Sequence, residues 1–198
     1  MKIAFIDTET GGLDPLTNPI LEIGAVFEDS EFEACLNVPH GLLITAEAAR
    51  VNGWPQSYDG RPSVCERDAI TGLLAWFDHH SISHICAHNA PFDYSFLKAA
   101  ASRSLLDVKR IPRTLCTMSI AHACKAVGRI DPITLSLNSV SASLGLPKRS
   151  NVHGALEDAK RCEEIYNLMI NPPQQKNTQQ PQNTKTRIGF GMGLTSMR

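Results

Sequence analysis

Hydrophobic and polar positions alternate along residues 2–9, with Ile3, Phe5, Asp7 and Glu9 on one face, the period-two signature of a strand. Thr10-Gly11-Gly12-Leu13-Asp14-Pro15 breaks that pattern as a turn. Apolar runs at 20–28 and 31–38 predict two more strands, joined at Asp29-Ser30 tightly enough for a hairpin. A short helix is predicted over 45–51, ending at Asn52-Gly53. A longer one is predicted over 63–79, with its stripe at Val64, Ile70, Leu73, Leu74 and Phe77. A fourth strand is expected at 84–88, a helix at 92–101 and a fifth strand at 114–117. Helices then follow at 118–127, 135–144 and 154–169. A meander of three strands followed by alternating helices and short strands predicts an α/β fold, a mixed sheet of about five strands flanked by helices.

After Ile170 the pattern stops. Three stretches are therefore expected: a folded domain over 1–171, a Gln/Asn/Pro-rich flexible linker over 172–187 that cannot bury enough apolar surface to offset its ordering entropy, and an apolar peptide over 188–198. That last stretch, with Ile188, Phe190, Met192, Leu194 and Met197, reads either as a partner-docking peptide or as a frayed end.

Composition narrows the field. No apolar run reaches the ~20 residues of a membrane span, which predicts a cytoplasmic protein without membrane contact. Six cysteines without a CxxC pair predict buried free thiols rather than disulfides or zinc ligands. The net charge is −1; the tail from Pro172 carries Lys176, Lys185, Arg187 and Arg198 and no acid, so residues 1–171 hold −1 − 4 = −5. A domain coating long duplexes would be basic, so any nucleic-acid contact is expected to be short and local.

The candidate chemistry begins in FIDTETGGLD, residues 5–14. On a strand, Asp7 and Glu9 project from one face about 6.6 Å apart at Cα, able to converge on one hard divalent cation; a solvated strand end would look the same. In CAHNAPFDYSFL, residues 86–97, Pro91 suits the first helical position and puts Asp93 in the first turn, where the helix dipole alone could account for an acid. In NVHGALEDAKRCEEIY, residues 151–166, Asp158 borders the buried side of a helix and needs a partner, while His153 stands on the loop before it.

Taken in order, FIDTETGGLD, AHNAPFD and HGALEDA resemble the three motifs of the DEDD exonuclease superfamily. The four residues between His153 and Asp158 match its histidine subclass. The likeness extends over about residues 1–170 and is greatest to the proofreading (epsilon) subunits of bacterial DNA polymerase III and related small exonucleases. It implies a ribonuclease H-like fold and metal-dependent 3′→5′ removal of nucleotides from single-stranded DNA ends, in repair or proofreading. Two Mg²⁺ ions are implied, for which Mn²⁺ would substitute. Asp7, Glu9 and Asp158 would hold the first ion. Asp7 would bridge to the second, which Asp93 would hold directly or through water, and His153 would be the general base. An Asn52 where many relatives have histidine is the one departure.

The alternatives are an exoribonuclease trimming RNA ends, or an adaptor that binds nucleic-acid ends without cutting. Thr10 and Gly11 are expected to let the terminal nucleotide approach the backbone, Leu13 and Phe92 to wedge or stack against a base, and His88 to approach the substrate. His80, His84 and His88 are not expected to form a metal site, because strand alternation breaks their common face. A polymerase or a sliding clamp is the candidate partner of the tail: GLTSM faintly resembles clamp-binding peptides, without their leading glutamine.

Overall fold

The computed structural model describes residues 1–148 and 154–171; His153 and the whole of 172–198, with the expected linker and docking peptide, lie outside them. The first three strands are β1 (Ile3–Thr10), β2 (Ile20–Phe27) and β3 (Ser30–Leu36). They form the expected antiparallel meander, its hairpin turning at Glu28-Asp29, one residue before the predicted place, with Phe27 opposite Ser30. Helix α1 (Ala46–Asn52) is capped by the Thr45 side chain, which accepts from the Ala48 N–H, and stopped by Gly53 at φ 70°.

One prediction fails here. Ser63–Val64 does not open the long helix but forms a short edge strand, β4, parallel to the end of β3. Helix α2 (Glu66–His80) starts beyond it, and Val64 is exposed rather than part of the buried stripe. The sheet consequently has six strands, not five. Beyond α2 come β5 (His84–Ala87), α3 (Ala90–Arg103), β6 (Arg113–Cys116), α4 (Thr117–Ala126), α5 (Leu137–Ser143) and α6 (Ala155–Ile170). The strand order is β4-β3-β2-β1-β5-β6, with β5 and β6 parallel to β1.

Alternation along β1 sorts the two layers. Ala4 and Ile6 face a core built with Leu73, Leu74 and Phe77 of α2 and Phe96 and Leu97 of α3. Phe5 faces the opposite side, with Val26, Cys86, Ala159 and Cys162 beneath α6. Each large side chain buried this way contributes about 1.5–3 kcal/mol. Helices α4 and α5 cover α6 in turn through Ala121, Cys124, Val140, Ile165 and Met169. β1 therefore runs through the middle of the sheet, between β2 and β5, and its polar end inherits the same parity. Asp7 and Glu9 point to the α6 side, and Thr8 to the α3 side. All six cysteines are free, but Cys65, at the start of α2, is exposed, and Cys116, at the start of α4, is only partly buried against the core.

Candidate active site

Three carboxylates from the two ends of the chain meet at the end of β1. Ligand oxygens of Asp7, Glu9 and Asp158 all lie within 4.8 Å of one another, Asp158 buried and the other two half-buried. Like charges this close repel by about 3–4 kcal/mol per pair at an effective dielectric of about 20. The donor set, three carboxylate oxygens, suits a hard dication. It is the one such group of His, Cys, Asp and Glu side chains among the described residues.

Asp158 reaches the group because α6 lies on β2 just where β2 faces β1. Across the ladder Asp7 pairs with Gly24 and Glu9 with Glu22, and the register then slips, leaving Leu21 as a bulge beside Glu9. A Cβ at Gly24 would fall on the backbone of Ala155 and Leu156, so only glycine lets α6 settle there. The Glu22 carboxylate, 1% exposed, accepts from the Ala155 N–H at 3.1 Å and from Arg61 Nη1 at 2.8 Å.

Asp93 stands across β1 from this group. Its Oδ1 accepts from the Thr8 N–H at 3.0 Å and from the Thr8 hydroxyl at 2.8 Å, so it grips the residue between Asp7 and Glu9. Burial pushes its carboxyl up to about 7; the Thr8 bonds oppose the rise and the Glu9 charge adds to it. Pro91 sits in the first turn of α3, one position later than predicted, behind a left-handed Asn89.

That pKa has a measurable consequence. A raised carboxyl pKa means that folding penalises the ionised form. The penalty is absent below the unfolded pKa of about 3.8, grows as pH rises to about 7, and is constant above that. Asp93→Asn keeps an acceptor for Thr8 and removes the charge. In metal-free buffer it should melt above the wild type by ~5 °C or more at about pH 8, the gap closing by about pH 4. A gap that does not change with pH would rule out the buried charge as its cause.

Several predicted contact residues also make contacts within the protein. Gly11 is buried, its N–H donating to the Pro19 carbonyl and its carbonyl accepting from the Thr45 N–H. Its missing Cβ makes room for the Pro19 ring, whose Cδ would lie 2.6 Å away. The Thr10 hydroxyl donates to the Gly12 carbonyl, and the Thr10 carbonyl accepts from the Asn52 amide at 2.7 Å. The Asn52 position thus staples α1 to the end of β1. The His88 ring is held on both sides: Nε2 donates to the Leu135 carbonyl at 2.7 Å, which leaves Nδ1 to accept from the Thr117 hydroxyl, and burial lowers its pKa. Phe92 is half-buried with its ring 4.8 Å from that of Phe96, whereas Leu13 is 83% exposed on the loop after β1.

Thr8, Glu22, Gly24 and Arg61 went unnoticed in the sequence. Glu22 and Gly24 did carry a signal: within ILEIGAVF they share the parity of Val26, on the face that meets α6.

The exonuclease family model RNase_T matches residues 4–166, the span that contains the three carboxylates, Asp93 and His153. The chain belongs to the DEDD 3′–5′ exonuclease family. The enzyme is 30% identical over 185 residues to Ribonuclease T of Baumannia cicadellinicola, covering 84% of this chain and 82% of that relative. It is 29% identical over 182 residues to Ribonuclease T of Haemophilus influenzae, covering 84% and 78%. Its fold is that of E. coli exonuclease I in complex with a dT13 oligonucleotide (TM-score 0.74, 15% identity, 86% of this chain). The exonuclease I of Methylocaldum szegediense is equally similar (TM-score 0.74, 17% identity, 87% of this chain). The exonuclease spans 41% of the length of each of those two chains.

Proposed function

We propose that this exonuclease removes nucleotides from the 3′ ends of single-stranded DNA by hydrolysis that needs divalent cations, Mg²⁺ with Mn²⁺ as a substitute. The meeting of Asp7, Glu9 and Asp158 oxygens within 4.8 Å carries this reading. Asp7, Glu9 and Asp158 would hold one ion, and Asp7 with Asp93 a second. When bound, such a pair stabilises charge on the attacking and leaving oxygens of an in-line displacement and eases ionisation of water. The chain's own part is to fix these donors on rigid elements and to take up the proton of the attacking water. We assign the proton to His153, whose imidazole is free base over much of the neutral range. The exposed Leu13 beside the site would pack against a terminal base.

Substitution of His153 separates base from ligand. His153→Ala should retain the Mg²⁺-induced rise in Tm while lowering kcat by ~10²–10⁴-fold. Unchanged turnover would remove His153 from the mechanism.

Trimming of RNA ends is a second reading, supported by the name Ribonuclease T that relatives at 28–30% identity bear. The comparison that separates the two is a time course on matched 5′-labelled DNA and RNA strands with Mg²⁺, Mn²⁺ or EDTA. A metal-dependent ladder from DNA supports the leading reading, and a ladder from RNA alone moves the same chemistry to RNA processing. No cleavage where metal binds would favour an end-binding adaptor. We also assign to residues 188–198 the docking of a polymerase or clamp, with 172–187 as tether; this rests on the sequence pattern alone. Repair or proofreading in the cytoplasm is the setting that fits it. Among the described residues no helix is long and apolar enough to cross a membrane.

A further inference from the structure

Glu22 is a buried acid that the proposed chemistry does not use, and it lies directly across the ladder from Glu9. Residues opposite each other in an antiparallel pair have Cβ atoms about 4.5–5.5 Å apart on the same face, and like charges there are destabilising. A second carboxylate beside Glu9 would either compete for the cation or repel its neighbour. The structure shows what prevents both. One oxygen, Oε1, accepts from the Ala155 N–H at the first residue of α6, and the other, Oε2, accepts from Arg61 at 2.8 Å.

Arg61 is itself held in place. Its second nitrogen pairs with Glu33 at 3.0 Å, and its guanidinium lies 5.6 Å from the centre of the Tyr58 ring, which packs on Trp54 in turn. Burial, and after it the charges of Glu22 and Glu9, push the Tyr58 phenol up. The Ala155 N–H belongs to the turn that carries Asp158, whose own N–H donates to the Gly154 carbonyl. Pulling on Ala155 therefore pulls on Asp158.

We propose that Glu22 and Arg61 are positioning residues of the metal site: Glu22 ties the first turn of α6, and with it Asp158, to β2, and Arg61 keeps the Glu22 carboxylate neutralised and turned away from the cation. The inference rests on the metal reading above. It assigns opposite effects to the two partners. Without Glu22, α6 loses its tie and Asp158 its fixed place. Without Arg61, an extra carboxylate is released beside Glu9, which attracts a cation but holds it wrongly.

The test measures Tm against Mn²⁺ concentration, with kcat and KM on a labelled single strand, for full-length wild type, Glu22→Ala, Glu22→Gln and Arg61→Gln. Glu22→Ala should weaken Mn²⁺ binding and lower kcat by ~10–100-fold each, with KM within a factor of about 3. Glu22→Gln keeps an oxygen for Ala155 and should recover most of the affinity. Arg61→Gln should bind Mn²⁺ at least as tightly as wild type while kcat falls ~10-fold. A merely structural pair would lower the metal-free Tm in every variant and leave Mn²⁺ affinity alone; that result overturns the proposal. Should Glu22→Ala not fold, a weakened Mn²⁺ affinity in Arg61→Gln, or wild-type affinity and kcat in both remaining variants, overturns it equally. A wild type that gains no Tm with Mn²⁺ overturns the metal reading and this inference together.

Discussion

Asp7→Asn is expected to lower exonuclease turnover by at least ~10³-fold, equivalent to about 4 kcal/mol of lost transition-state stabilisation. The substitution preserves shape and removes only the charge, so the fold is not at issue. Asp7 lies on a central strand within 4.8 Å of two further carboxylates. Removing one of three mutually repelling groups should raise the metal-free Tm above that of wild type. The Tm gain on adding Mg²⁺ should disappear with the activity. Parallel melting curves and initial rates on a labelled strand decide it. A variant keeping more than about a tenth of wild-type turnover would show that Asp7 is not a ligand the reaction depends on.

Gly24→Ala should be the most damaging glycine-to-alanine change among the described residues. Its added carbon has no open space: it meets backbone atoms of Ala155 and Leu156, which cannot rotate away as a side chain could. The helix must lift from the sheet, or β2 must shift, at a cost of ~2–3 kcal/mol, enough to lower Tm by several degrees. Because Gly24 is the ladder partner of Asp7 and its neighbour across the layer carries Asp158, the displacement also opens the carboxylate group. Turnover in the folded fraction should drop ~10–100-fold, with Mg²⁺ affinity reduced in step. Urea unfolding and Mg²⁺-dependent Tm shifts on the same samples check both parts. Wild-type stability would mean that α6 does not pack against β2 as described.

Most of the layering was legible because it follows from parity. Ile3, Phe5, Asp7 and Glu9 share a face by simple alternation, and the helix over 154–169 has a period that puts Asp158 beside Ala159 and Cys162. Thr45 and Gly53 act as the caps their chemistry suggests. What was not legible depends on long-range backbone pairing. Ser63 and Val64 are strand only because the end of β3 offers them hydrogen bonds, and two residues show no period. The space beside Gly11 belongs to Pro19, a neighbour no local pattern reveals. Glu22 was hidden for a related reason. An acid inside a buried strand signals a partner without naming it, and that partner, Arg61, comes from a loop 39 residues away. The nearby carboxylates were found first because the motifs announce them one stretch at a time.

The docking of α6 on β1 and β2 also orders events during synthesis. Asp7 and Glu9 leave the ribosome well before Asp158, so the carboxylate group stays open while the chain between them is being made. Closure of the longest loop in the fold is what completes it. The three carboxylates can meet only once α6, the last helix among the described residues, has been made and docked.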